Sequence, residues 1–237
     1  MPARGTSFPS GAPAVRAAAP LPARTARITP DLGHNMGPDQ FVSALLEPDA
    51  VVSGTVLEGL DLRDLRADGT LFEDVEFRGC AFDHLDLSNC TFKDVSFSGC
   101  RLDACDMGRC WLDHCDFVAC AAPGLGMARS RVTDASFEDC QLSYLDLGEA
   151  TLTRVRLSSC SLREAGLHHV RLSRVELDGC DLARASVFHT PLAGMDLSTC
   201  QLDGIALTND LRDLRGAILS SSQAEVVLGL LGVQVRD

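Results

Sequence analysis

The stretch CAFDHLDLSNCTFKDVSFSGCRLDACDMGRCWLDHCDFVAC, running from Cys80 to Cys120, places each of its cysteines at a position divisible by five. Cys140, Cys160, Cys180 and Cys200 continue the pattern, so all 11 cysteines share one phase, which chance would give roughly once in ten million and a repeat gives by construction. Working outward, every fifth residue from Leu57 through Phe77, Phe97, Phe117, Leu147, Leu177 and Leu202 to Leu207 is apolar. Thirty-one consecutive pentapeptides, residues 55–209, run without an insertion. A period of five fits neither an α-helix, at about 3.6, nor a flat strand, at about 2.0, and so requires short extended segments separated by regular corners. Within it lies a longer period. Cys80, Cys100, Cys120, Cys140, Cys160, Cys180 and Cys200 recur every 20 residues and Leu60 opens the same column, so four pentapeptides complete one turn.

Segments such as Cys115-Asp116-Phe117, Cys180-Asp181-Leu182 and Leu145-Asp146-Leu147 carry a unit of a small apolar residue, Asp or Asn, then Leu or Phe. In this the chain resembles the pentapeptide repeat family. The resemblance implies an all-β solenoid, a right-handed quadrilateral β-helix whose central Leu or Phe and small residue two before it point inward. Coils stacked at the strand spacing of roughly 4.8 Å would then make a rod roughly 37 Å long.

The cysteines read as reduced core residues, because stacked side chains in neighbouring coils point the same way and free Cys packs as a small apolar group. No CxxC pair or Cys/His spacing supplies a zinc tetrahedron, and no cofactor site is expected. Near Asp113-His114-Cys115-Asp116 the repeat phase turns Cys115 inward and His114 outward, which separates any nucleophile from its base. No enzyme is expected, since nucleophile, base and pocket do not converge anywhere. His168, His169 and His189 are outward surface histidines. Ala122 replaces a central Leu or Phe, and Pro123-Gly124-Leu125-Gly126 follows it, so a bend in the rod is expected around residues 121–127.

The ends differ from the repeats. Residues 1–37, rich in Ala, Pro, Gly and Arg with Asp31 the only acid, read as a disordered tail; an Arg-rich, acid-poor start also allows a transit peptide, and Met36 an internal start. Residues 38–54 read as an N-terminal cap, in which Pro38 opens a short helix that buries Phe41, Val42, Leu45 and Leu46 before Pro48. The β-helix is expected over 55–221, with a phase slip of two residues after Leu207 and a last partial coil at Leu214 and Leu219. Over 222–237, Ser222 and Glu225 fit a capping box, and Val226, Val227, Leu230 and Leu231 give a helix with an apolar face, for capping or for pairing with its twin in a homodimer. No segment is long and apolar enough to span a membrane, and a cytoplasmic protein is expected.

Charge is the remaining clue. Residues 55–209 hold 25 acidic and 14 basic side chains, a net of −11 against −12 for the whole chain. B-DNA carries one charge per roughly 1.7 Å, so a rod of this length matches duplex DNA in gross acid density and reaches about half of it net. A summed field of this sign draws basic, DNA-binding surfaces. Gyrase-binding members of the family are proposed to act as DNA mimics, and the resemblance implies an acidic rod that binds a type II topoisomerase and modulates or protects it from inhibitors such as fluoroquinolones. The expected contacts are the outward signature carboxylates Asp86, Asp106, Asp116 and Asp146, which could instead brace the corners. Arg131, Arg154, Arg171 and Arg174 interrupt the mimicry on one face, and the alternative is a scaffold rod for another protein partner.

Overall fold

A chain that turns every five residues needs a left-handed residue at each corner. Gly69, Asp74, Gly79, His84 and Asn89, five apart, all have φ between 53° and 77°, and the series continues through Arg109, His114 and Tyr144 to His189. Non-glycine residues in that region cost on the order of 1 kcal/mol each, so the stacked coils around them enforce the corners.

The computed structural model describes residues 20–22, 24–29, 32, 36–47 and 49–234. It is a parallel β-solenoid. Strands β1 (Val51–Glu58), β3 (Leu71–Arg78), β5 (Thr91–Ser98), β7 (Trp111–Val118), β8 (Arg131–Glu138), β9 (Thr151–Ser158) and β10 (Arg171–Asp178) form one seven-stranded sheet, each in register with the strand 20 residues on. β2 (Asp61–Arg63), β4 (Ala81–Asp83) and β6 (Arg101–Asp103) form a second sheet, which single bridges extend through Ala121, Gln141, Ser161, Asp181 and Gln201. A third column of bridges runs Arg66, Asp86, Asp106, Gly126, Asp146, Gly166, Ser186, Ala206. Taking Leu71–Val75 as the first face of a coil, Glu76–Cys80 is the second, Ala81–Leu85 the third and Asp86–Cys90 the fourth.

The core is built as columns along the axis. Phe77, Phe97, Phe117 and Phe137 stack with centroids 4.7, 4.7 and 4.6 Å apart, the coil spacing itself, and Leu157 and Leu177 continue the column. Every thiol is buried, and each S–H donates to a carbonyl 23 residues earlier, one coil below: Cys90 to Ala67 at 3.0 Å, Cys110 to Leu87 at 3.0 Å, Cys140 to Phe117 at 3.4 Å. Where the cysteine column lapses, Ser130 and Thr190 make the same bond, to Met107 at 2.7 Å and Leu167 at 2.6 Å. The bond therefore does not require a thiol, and Ala150 and Val170, buried in the same column, fill it without any such donor. Burial pushes Cys90 up to about 12 and Cys105 up to about 11, and raises Cys110 and Cys115 as well, so these thiols are protonated at neutral pH.

The expected bend at 121–127 is corrected. Ala121 and Gly126 donate to Cys100 and Cys105 below, while Ala122, Gly124 and Met127 donate to Gln141, Ser143 and Asp146 above, so the ladder passes through unbroken. The break lies later. Among the described residues no backbone hydrogen bond joins β10 to residues 191–198, and Leu172, Val175 and Leu177 are only half-buried. The first residue of each coil donates to the coil before, as Thr91 does to Thr70, Arg131 to Cys110 and Arg171 to Ala150. At position 191 that residue is proline, which has no N–H to give.

Both ends are capped. Helix α1 (Pro38–Leu45) buries Phe41 and Leu45 over the first coil, with Phe41 edge-on to Phe77 at 6.3 Å. Leu46, expected in that apolar face, is exposed. At the other end residues 213–218 stack on 192–197 through Leu192 to Asp213, Gly194 to Gly216 and Leu197 to Ile218, as the resumed phase predicts. Helix α2 (Ser221–Leu230) starts earlier than expected: its capping box is Ser220 with Gln223, not Ser222 with Glu225. Gln223 is buried, and its Nε2 donates to the carbonyls of Leu197 and Cys200 at 2.7 and 2.6 Å, sealing the last coil.

Candidate partner-binding surface

The four carboxylates singled out in the sequence divide between two faces. Asp86, Asp106 and Asp146 share the column on the fourth face, with Gly126 between the last two. Each accepts from the backbone N–H two residues on: Ser88 at 3.1 Å, Gly108 at 2.7 Å and Gly148 at 2.8 Å. They brace their corners; Asp106 and Asp146 turn their second oxygens to the surface, whereas Asp86 Oδ2 accepts from Arg66 Nε. Asp106 and Asp146 are exposed; Asp86 is half-buried, held below the usual carboxylate range by Ser88 and by Arg66 at 3.2 Å.

Gly126 opens a shallow groove of about 430 Å³ between Asp106 and Asp146. Its rim also carries Arg109, Arg129 and Glu149. Arg129 lies 3.2 Å from Glu149 and lowers its pKa, whereas Arg109 donates to Asn89 at 2.8 Å. The fourth face is therefore of mixed charge at mid-rod. Many bases pair with an acid one coil away, as in Arg66–Asp86, Lys93–Glu73, Arg154–Asp134 and Arg184–Glu164. Such exposed pairs contribute about 0–1 kcal/mol each, and they leave the net negative charge of the rod to the remaining acids.

Asp116 does not belong to an open surface. It lies on the second face, is 1% exposed, and accepts from the Ser136 hydroxyl at 2.6 Å and from the N–H groups of Thr25 and Ala26 at 2.8 and 3.0 Å. Its expected role as an outward contact is corrected on that ground. The covering segment is itself a departure from the tail expected over 1–37, because the described residues between 20 and 29 lie along the first and second faces. Residues 1–19, 23, 30, 31 and 33–35 of that expectation fall outside the described residues.

On the first face Asp113, His114 and Asp134 bring ligand atoms within 4.8 Å of one another. Arg154 engages both oxygens of Asp134, with Nε at 2.6 Å, and holds its pKa low, so that carboxylate is already answered by an ion pair. Cys115 points inward, its sulfur 3.5 Å from the Phe92 carbonyl, and His114 lies outside with Asp113 at 3.3 Å. His169 stacks on His189 at 4.7 Å and His168 on Phe188 at 5.9 Å, surface stacks between adjacent coils.

A family model described as the pentapeptide repeat region matches residues 70–147 and 115–188. The chain belongs to the pentapeptide repeat family. Among solved structures, a trypsin-treated form of QnrB1, described as a plasmid-mediated fluoroquinolone resistance protein, is similar at 18% identity and TM-score 0.42, covering 77% of this chain and 100% of that one. HetL, a pentapeptide repeat protein involved in heterocyst differentiation regulation from the cyanobacterium Nostoc sp. strain PCC 7120, is 19% identical at TM-score 0.34, covering 79% and 98%. No curated protein matches the sequence.

The last group singled out in the sequence is on α2. Val226 and Val227 are half-buried, while Leu228, Leu230 and Leu231 are exposed, Leu231 to 56%. A groove of about 590 Å³ separates Leu230 and Leu231 from Leu211 and the last coil. Among the described residues no helix is long and apolar enough to cross a membrane.

Proposed function

We propose that this pentapeptide repeat protein is an acidic, non-catalytic rod that binds a type II topoisomerase such as DNA gyrase at a surface that otherwise holds DNA, and so modulates it or protects it from inhibitors such as fluoroquinolones. The observation that carries the reading is the net charge of −11 over residues 55–209, whose repeat phase runs without an insertion. A field of that size and sign speeds encounter with a basic saddle and weakens as salt rises. Asp86, Asp106 and Asp146 are the contacts assigned to it, and Val226, Val227, Leu230 and Leu231 pair two copies through α2. The mixed charge at Arg109 and Arg129 favours the second reading, a scaffold whose partner is a protein of mixed surface charge.

The test is equilibrium binding of purified gyrase to wild type and to a variant carrying Asp86→Asn, Asp106→Asn and Asp146→Asn. The expected result is at least a tenfold loss of affinity and a shallower salt dependence, with the circular dichroism of the rod unchanged. Equal affinity of the two proteins would remove these residues from the interface, and no binding by wild type would move the function to the scaffold reading.

A further inference from the structure

The described residues between 20 and 29 contact the rod chiefly through their backbone. The N–H of Leu21 meets Glu176 at 3.1 Å on β10, those of Thr25 and Ala26 meet Asp116 on β7, that of Arg27 meets Asp94 at 3.1 Å on β5, and that of Thr29 meets Asp74 at 2.8 Å on β3. Arg156 of β9 donates to the Leu21 carbonyl at 3.2 Å, and the Thr25 hydroxyl lies 3.0 Å from Asp116 and 3.2 Å from the Cys115 carbonyl. The segment thus runs from the last strand of the large sheet to its second, against the direction in which the coils advance.

The spacing explains how an extended chain fits. From β10 to β3 is five coil steps, about 24 Å at roughly 4.8 Å each, and eight residues of extended chain cover about 26 Å at roughly 3.3 Å each. Three residues therefore keep pace with two coils, and main-chain N–H groups reach carboxylates on β10, β7, β5 and β3. The central clamp is Asp116, a carboxyl group removed from water and answered by Thr25, Ala26 and Ser136. Charge suits the occupant too. Arg24 and Arg27 stand exposed on the segment, and Arg27 adds to the field that keeps Asp134 ionised.

The geometry points to a docking track on the first and second faces, built to hold an extended, cationic polypeptide segment by its main-chain N–H groups, with this chain's own described residues between 20 and 29 seated in it. A partner of the same chemistry binds by displacing them: at least nine residues in extended form, basic side chains beside the Asp116 clamp, and no proline at the positions equivalent to Thr25 and Arg27. The segment in cis competes at an effective concentration in the millimolar range, so it raises the threshold for any such partner. The inference is independent of the topoisomerase reading, whose assigned contacts lie on the fourth face.

Two measurements on the full chain test it. In wild type, hydrogen exchange at the amides of Thr25, Ala26, Arg27 and Thr29 should run at least tenfold slower than in the isolated synthetic peptide Pro20–Leu32, and equal rates would overturn the proposal. The same peptide, fluorescein-labelled, should bind a Thr25→Pro, Arg27→Pro variant at least tenfold more tightly than wild type, because those prolines strip the resident segment of two donors. Adding Asp116→Asn to that variant should cost a further tenfold. Equal affinity for wild type and variant, or none for the variant, would overturn the track.

Discussion

Pro123 stands third in its pentapeptide and Pro191 first, and the coils around them differ accordingly. At Pro123 the surrounding positions 121, 122 and 124 carry the ladder bonds, and the proline carbonyl still accepts from Ala104 at 3.0 Å. A missing N–H costs nothing there. At Pro191 the missing N–H is the one that every earlier coil gives to the coil below, and the large sheet ends at β10 although the third and fourth faces continue through Gln201 and Ala206. A proline in a solenoid is thus judged by its place in the repeat: positions outside the ladder tolerate it, and the first position of a strand face makes it an edge.

The largest effect should come from the intact side of that comparison. Phe117→Ala empties a site stacked between Phe97 and Phe137 and should destabilise by about 3–5 kcal/mol in urea unfolding, whereas Leu177→Ala beside the open edge should cost less than half of that. Equal losses would mean that β10 is packed as tightly as the middle of the rod. Arg131→Pro transplants the Pro191 situation into mid-rod by removing the bond to Cys110, and about 3 kcal/mol should be lost. A urea midpoint unmoved by it would contradict the ladder argument. In the reverse direction, Pro191→Arg restores the donor and should gain about 1 kcal/mol, with slower hydrogen exchange across 172–178. The smallest change is expected of Pro123→Ser, within about 0.5 kcal/mol, the ordinary range of a surface substitution.

Register was legible in the sequence because each coil repeats the last: the column from Leu57 to Leu207 is buried except at Leu62, Leu172 and Leu177, and the cysteine column is buried along the rod. The corners were only partly legible. Gly54, Gly59, Gly69, Gly79 and Gly99 mark them, but Arg109, His114 and Tyr144 adopt the same backbone under compulsion from their neighbours. Three successive serines, Ser220, Ser221 and Ser222, left the start of α2 open, and Gln223 decides it by reaching two carbonyls of the last coil. Pro191 carried the signal for the edge, yet only the donor pattern of the other coils gives that proline its meaning. The covering of Asp116 was not legible, since its donors are backbone N–H groups about 90 residues away in the chain, contacts that leave no pattern in side-chain order.

The function rests on whether the rod's negative field is read by an enzyme that handles DNA. The direct measurement is a gyrase supercoiling assay with purified protein, titrated with and without a fluoroquinolone at two salt concentrations. The account predicts inhibition, or rescue from drug-stabilised cleavage, that weakens at the higher salt. Supercoiling and cleavage unchanged at protein well above the enzyme concentration, at both salts, would contradict it.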